Sequence, residues 1–181
     1  MKKRILIFAI LAAMLLGACS AAAPQTQDTS DLVAGQFGEN DLIFIYNGSA
    51  YPLNSDAAKL LEALGEDYET TTAPSCVYVG EDKQFDFKNM SIFTYPTDGK
   101  DLIDDIYFYG GDFETPKGIR IGSTLEEVKA QYGEGEKVGS SYVYALSGSA
   151  KDLKSPKLTF EMSDGIVSGI SFYAASNVAE Q

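Results

Sequence analysis

Apolar residues along this chain follow two periods. In Tyr51–Gly65 (YPLNSDAAKLLEALG) and Gly118–Gly133 (GIRIGSTLEEVKAQYG) they stand three and four apart, whereas between and after these stretches they alternate with polar residues. The first spacing buries one stripe of a helix, and the second buries one face of a strand. Ala57, Leu60, Leu61 and Leu64 form the stripe of the first helix, and Gly65 stops it. In the second helix Ser123 reads as the N-cap, with Glu126 three residues on as its reciprocal partner, a capping box that satisfies two orphaned amide donors. Gly133 supplies the stop, where a left-handed residue is favoured. A shift of 68 positions lays Leu53 on Ile121, Ser55 on Ser123, Ala57 on Leu125, Leu60 on Val128, Leu64 on Tyr132 and Gly65 on Gly133. Caps, stripe and stop align together, so the chain reads as a duplicated unit.

The strand period predicts the remaining elements. Leu42–Tyr46 and Ala50–Leu53 flank Asn47-Gly48, the strongest short-range hairpin signal. After the first helix come SCVYV (75–79), QFDFK (84–88), MSIFTY (90–95) and LIDDIYFY (102–109), with turns at Gly80-Glu81-Asp82 and Asp98-Gly99. After the second come SYVYAL (141–146), KLTFEM (157–162) and IVSGISFY (166–173), with a tight turn at Asp164-Gly165. Ser75-Cys76-Val77-Tyr78 matches Ser141-Tyr142-Val143-Tyr144, and Ile106, Phe108 and Tyr109 match Ile170, Phe172 and Tyr173. The expected fold is α+β: two tandem repeats, over 41–113 and 114–176, each a helix packed on an antiparallel β-sheet, with a short tail over 177–181.

The start of the chain has neither period. Met1–Ser20 carries a basic head (Lys2, Lys3, Arg4) and twelve apolar residues from Ile5 to Leu16, a secretory signal too short for the ~20 residues that span a bilayer. Leu16-Gly17-Ala18-Cys19 resembles the lipobox of bacterial lipoproteins. The resemblance implies a signal peptide over 1–18, diacylglycerol on the Cys19 thiol, and attachment to the cell membrane at its extracytoplasmic face. The alternative is that Cys19 is an ordinary residue of a secretory signal. Buried methylenes contribute ~0.8 kcal/mol each, so two or three acyl chains anchor firmly where one is marginal. Residues 19–40 then read as the lipidated cysteine and a flexible polar tether.

Charge narrows the choice of partner. Loss of Lys2, Lys3 and Arg4 with the leader leaves 11 of 14 basic residues against 26 acidic ones, a formal charge of −15. With no basic cluster to offset it, such a surface repels phosphate backbones, which argues against nucleic acid, and it favours a basic partner or cell-wall cations. A merely solvated acidic surface is the plain alternative.

Catalytic chemistry is poorly represented. Cys76 lies in an apolar run in a chain without histidine, so it reads as a small buried residue and not a nucleophile. Carboxylates pair at Glu81-Asp82, Asp104-Asp105 and Glu126-Glu127. Strand alternation sends Asp104 and Asp105 to opposite faces, and capping accounts for Glu126 and Glu127. There is no G-x-S-x-G elbow, no phosphate-cradling glycine loop and no His/Cys metal set. The expectation is a non-catalytic protein with no catalytic residues, no metal site and no cofactor.

The runs PSCVYVGEDKQF, TYPTDGKDLIDDIYF and TPKGIRIGSTLEEVKAQYG resemble a group of Gram-positive lipoproteins whose fold is similar to that of beta-lactamase inhibitor protein (BLIP-like). The resemblance implies helices on one face of antiparallel sheet and a concave aromatic surface offered to a protein. The disulfides of that inhibitor have no counterpart here. Tyr78, Tyr107, Tyr109, Tyr142, Tyr144 and Tyr173 are therefore the candidate protein-binding residues. If Ile106 and Phe108 take the helices, alternation leaves Tyr107 and Tyr109 open, while the face of Tyr142 and Tyr144 stays undecided because Val143 and Ala145 are also apolar. Ordinary sheet tyrosines are the competing reading. The functional expectation is a membrane-anchored lipoprotein that binds, and in one version inhibits, an unknown extracellular protein. The alternative is a binder of a small ligand or wall polymer, with a pocket between the repeats.

Overall fold

A computed structural model describes residues 32–178. The leader and Cys19 lie outside the described residues. The chain enters through a short 3-10 turn, Glu39–Leu42, and then makes a hairpin of β1 (Ile43–Tyr46) and β2 (Ser49–Pro52). Asn47 and Gly48 both take positive φ, 50° and 74°, which is the twist a two-residue hairpin requires. Helix α1 (Ala58–Leu64) leads to β3 (Glu69–Pro74), β4 (Glu81–Phe87), β5 (Met90–Thr97) and β6 (Lys100–Phe108). Helix α2 (Leu125–Tyr132) leads to β7 (Glu136–Val138), β8 (Ser141–Ala145), β9 (Lys157–Ser163) and β10 (Ile166–Tyr173).

The expected pair of helix-on-sheet repeats is not what forms. All strands from β3 onward join one eight-stranded antiparallel sheet in the order β3-β4-β5-β6-β10-β9-β8-β7. The join is β6 to β10, where Ile106 faces Phe172 and Phe108 faces Ile170. Each of these segments is apolar on one face, and continuous pairing satisfies their edge amides while burying that face as a single surface. Two separate sheets would expose two more edges. The sequence repeat could not show this, because register between β6 and β10 is a long-range choice.

One side of the sheet carries the core. Across successive strands Thr70, Phe85, Ile92, Ile106, Phe172, Leu158 and Tyr144 stand opposite one another, and cross-strand partners share a face. Ala57 and Leu60 at α1, Val128 and Tyr132 of α2, and Phe44 of the hairpin pack into this same cluster. Phe44 is fully buried, its ring centroid 6.1 Å from that of Phe108 and 6.2 Å from that of Phe172.

The helix starts differ from expectation, by two residues at α1, whose N-cap position is Ala57, and by one at α2. Thr124, not Ser123, is the N-cap of α2, its hydroxyl accepting from the Glu127 amide while Glu127 accepts from the Thr124 amide at 2.7 Å. Ser123 instead accepts the Arg120 amide, and Ser55 donates to the Pro52 carbonyl ahead of α1. The run 75–79 is a turn and not a strand, which leaves Cys76 exposed rather than buried. Strands β3 and β7 were not anticipated.

Residues 32–40 dock on the helix side. Phe37 lies 5.9 Å from Tyr144 between ring centroids, and the Gly35 amide donates to the Gln131 carbonyl. Lys117 donates to the Gln36 carbonyl and pairs with Asp41 at 3.0 Å, both side chains only 4% exposed. Its ammonium also lies over the Tyr132 ring. Removing one member of a buried pair strands the other charge, so Lys117→Met should cost about 3–5 kcal/mol. Adding Asp41→Leu should recover most of that loss in urea unfolding; an additive double variant would contradict the pairing.

Candidate functional site

The face opposite the core is free of both helices and of the hairpin. Alternation brings to it Asp86, Ser91, Tyr107, Ser171 and Thr159 in one row, and Thr71, Gln84, Phe93, Asp105, Tyr173 and Lys157 in the next. Tyr109 continues it just past β6, 45% exposed, its ring centroid 5.6 Å from that of Tyr107. Tyr107 lies across β10 and donates to Glu161 at 2.9 Å. Gly169 makes that crossing possible, since a Cβ there would meet Glu161 Oε2 at 2.7 Å and the Tyr107 hydroxyl at 2.9 Å. Burial, then the Glu161 carboxylate, push the Tyr107 hydroxyl up to about 12, so it remains a donor.

A cleft of about 360 Å³ opens on this face, lined by residues of β3, β4, β5, β6 and β10. Its acidic wall comes from an irregularity. On β6, Asp105 faces Phe93 and Ile103 faces Thr94, so Asp104 has no partner across the ladder. Such a bulge breaks the alternation, and Asp104 and Asp105 both border the cleft. The expectation that they point apart is thereby overturned. Asp82, also lining the cleft, has a buried Oδ1 with no hydrogen-bond partner among the described residues. Lys83 is turned to Asp101, 2.8 Å away.

The two bulge carboxylates differ in role. Asp104 Oδ1 accepts the Ser176 and Asn177 amides at 3.2 and 3.4 Å, tying the C-terminal segment to the end of the cleft. Burial raises its affinity for a proton, and these amides oppose the rise. Asp105 is held by the Ser171 hydroxyl at 3.0 Å. Burial pushes it up to about 7, with the Asp104 charge adding to the rise and Ser171 opposing it. Burial and then the two aspartates also raise Tyr173, whose hydroxyl donates to the Leu153 carbonyl at 3.1 Å.

The sequence candidates divide. Tyr107, Tyr109 and Tyr173 share the uncovered face. Tyr144 is 4% exposed on the core face, packed on Tyr132 and Phe160, and its hydroxyl donates to the Gly133 carbonyl. Tyr142 is on that same face, half-buried against the core, with Lys129 over its ring. Tyr78 is in the turn after β3, stacked 4.8 Å from Tyr95, and donates to the Ser176 carbonyl at 2.8 Å. Phe93 is no candidate in the sequence reading, and Asp82 and Asp105 appear there only as paired carboxylates set aside as structural. Strand alternation alone could have put Asp105 on the face of Tyr107, whereas Phe93, next to the apolar Ile92, is placed only by its pairing with Asp105. Comparison with protein families, with curated proteins and with solved structures finds no match to this chain.

An isolated aspartate ionises near pH 4, so between about pH 4 and pH 7 the folded protein holds an Asp105 proton that the unfolded chain has lost. Its contribution to stability falls as pH rises through that window and is level above it. Asp105→Asn should match the parent near pH 4 and be the more stable protein at pH 8, read by urea unfolding. A gap independent of pH would contradict the assignment.

Proposed function

We propose that this chain is an extracytoplasmic lipoprotein, attached to the membrane through lipid on Cys19, that holds an extracellular protein on the uncovered face of its sheet without catalysing a reaction. The observation that carries this reading is the one-sidedness of the sheet: helices, hairpin and residues 32–40 all pack on the core face, while Tyr107, Tyr109, Phe93 and Tyr173 stand on the other. Large rings with few rotatable bonds offer contact area at small entropic cost, and Tyr107 is already fixed by Glu161. The docked segment also brings the chain in from the helix side, so a tether to a membrane leaves the opposite face accessible. Resemblance of the first residues to a lipoprotein leader supports the attachment.

A second reading, a small ligand or wall polymer, is favoured by the cleft alone. Tyr107→Asp with Tyr109→Asp separates the two. On the first reading, capture of surface or secreted proteins by residues 32–181 falls about tenfold or more, as for an aromatic hot spot, while a Lys59→Glu control on α1 captures normally. Equal capture by all three would refute the face assignment. Capture by none, with a thermal shift on adding wall fragments, would favour the cleft.

A further inference from the structure

The two edges of the sheet are unequal. Strand β7 is three residues long and carries Lys137, and short length and lysine are two devices that keep a sheet edge from pairing with another chain. Strand β3 has neither protection. Its six residues, Glu69–Pro74, are all exposed, pair with β4 without a bulge, and contain no lysine and no proline before the last position. Its centre is Thr70-Thr71-Thr72, branched residues suited to a cross-strand neighbour.

We propose that β3 is a strand-addition site, at which an extended segment bearing lysine or arginine pairs with the free edge and sets a cationic side chain beside Asp82. This rests on the reading that the partner is a protein. Charge selects the occupant. Glu66, Asp67, Glu69 and Glu81 flank the edge, and the whole sequence has 26 acidic against 14 basic residues, so a second copy of this chain meets repulsion where a basic segment meets attraction. Thr71 and Ala73 form the near wall of the cleft, and Asp82 stands opposite Ala73 on β4. A ninth strand lies about 4.8 Å outside β3, so its side chains on the uncovered face approach Asp82 across one strand. The Asp82 carboxylate, which lines the cleft, gives that cation a partner, and Lys83, engaged with Asp101, does not compete. Main-chain bonds supply affinity and the alternate side chains supply selectivity.

The test uses residues 32–181 and three capped peptides at low salt: Thr-Lys-Thr-Lys-Thr-Lys-Thr, the same with glutamate for lysine, and one with a central proline in place of lysine. The lysine peptide should slow amide hydrogen exchange in 69–74 about tenfold and leave 136–138 unchanged. The other two should not. Thr71→Lys, which places a charge on the exposed edge, should abolish the effect, and Asp82→Asn should weaken it several-fold. Equal protection by the proline peptide would mean general charge attraction and overturn the proposal. So would no protection by any peptide, or a self-association in sedimentation that Thr71→Lys removes. If a captured protein depends on Tyr107 and Tyr109 but binds Thr71→Lys at full affinity, the edge proposal fails while the face reading stands.

Discussion

At the seam between β6 and β10, Ile106 meets Phe172 and Phe108 meets Ile170. All four are fully buried. Here two four-stranded meanders, each preceded by a short helix, become one sheet with one apolar face. Helix α1 has seven residues and α2 eight, lengths at which neither is stable by itself in water. They persist because Leu60 and Val128 find a common floor, and the hairpin persists because Phe44 packs against the same rings. Burial of apolar area at about 25 cal/mol per Å² makes that floor the main source of stability. Once it is covered, neither helix nor the hairpin is left for the other side, where the loop before β9 reaches Tyr173 and Lys157 at one end and the C-terminal segment reaches Asp104.

The uncovered side takes its character from two departures from regular sheet. The bulge at Asp104 places successive carboxylates on one cleft, and Gly169 lets Tyr107 lie flat over β10. Each departure has a structural use as well. Asp104 anchors the C-terminal segment through two amides, and the Ser176 carbonyl accepts Tyr78. Asp105 has no such duty. It sits with one hydroxyl for company, near the boundary between its charged and neutral forms, which makes it the more responsive of the two.

Local signals were legible and long-range ones were not. Asn47-Gly48 announced its hairpin because positive φ at both positions is a local demand. The alternation in 102–109 and 166–173 gave the correct faces for Tyr107, Tyr109 and Tyr173. For Tyr142 and Tyr144 both faces of β8 are apolar, and only pairing with Phe160 and Leu158 decides. The bulge has no local mark, because Leu102–Tyr109 reads as an unbroken strand. Ser123 and Thr124 are equally good caps, each with a glutamate three residues on, and the bridge of Thr124 to Ile166 sets the choice. Strand β3 escaped notice because both its faces are polar or small, which is also why its edge is available.

That the helices and hairpin cover one face of the sheet and leave the tyrosines of the other accessible is the claim on which the functional account stands. It is tested most directly by NMR of ¹³C-labelled tyrosine rings in residues 32–181 with a soluble paramagnetic agent. The account predicts that Tyr109 and Tyr107 signals are strongly attenuated and Tyr173 partly, while Tyr132 and Tyr144, at 2% and 4% exposure, keep their intensity. Similar attenuation of Tyr144 and Tyr109 would contradict it.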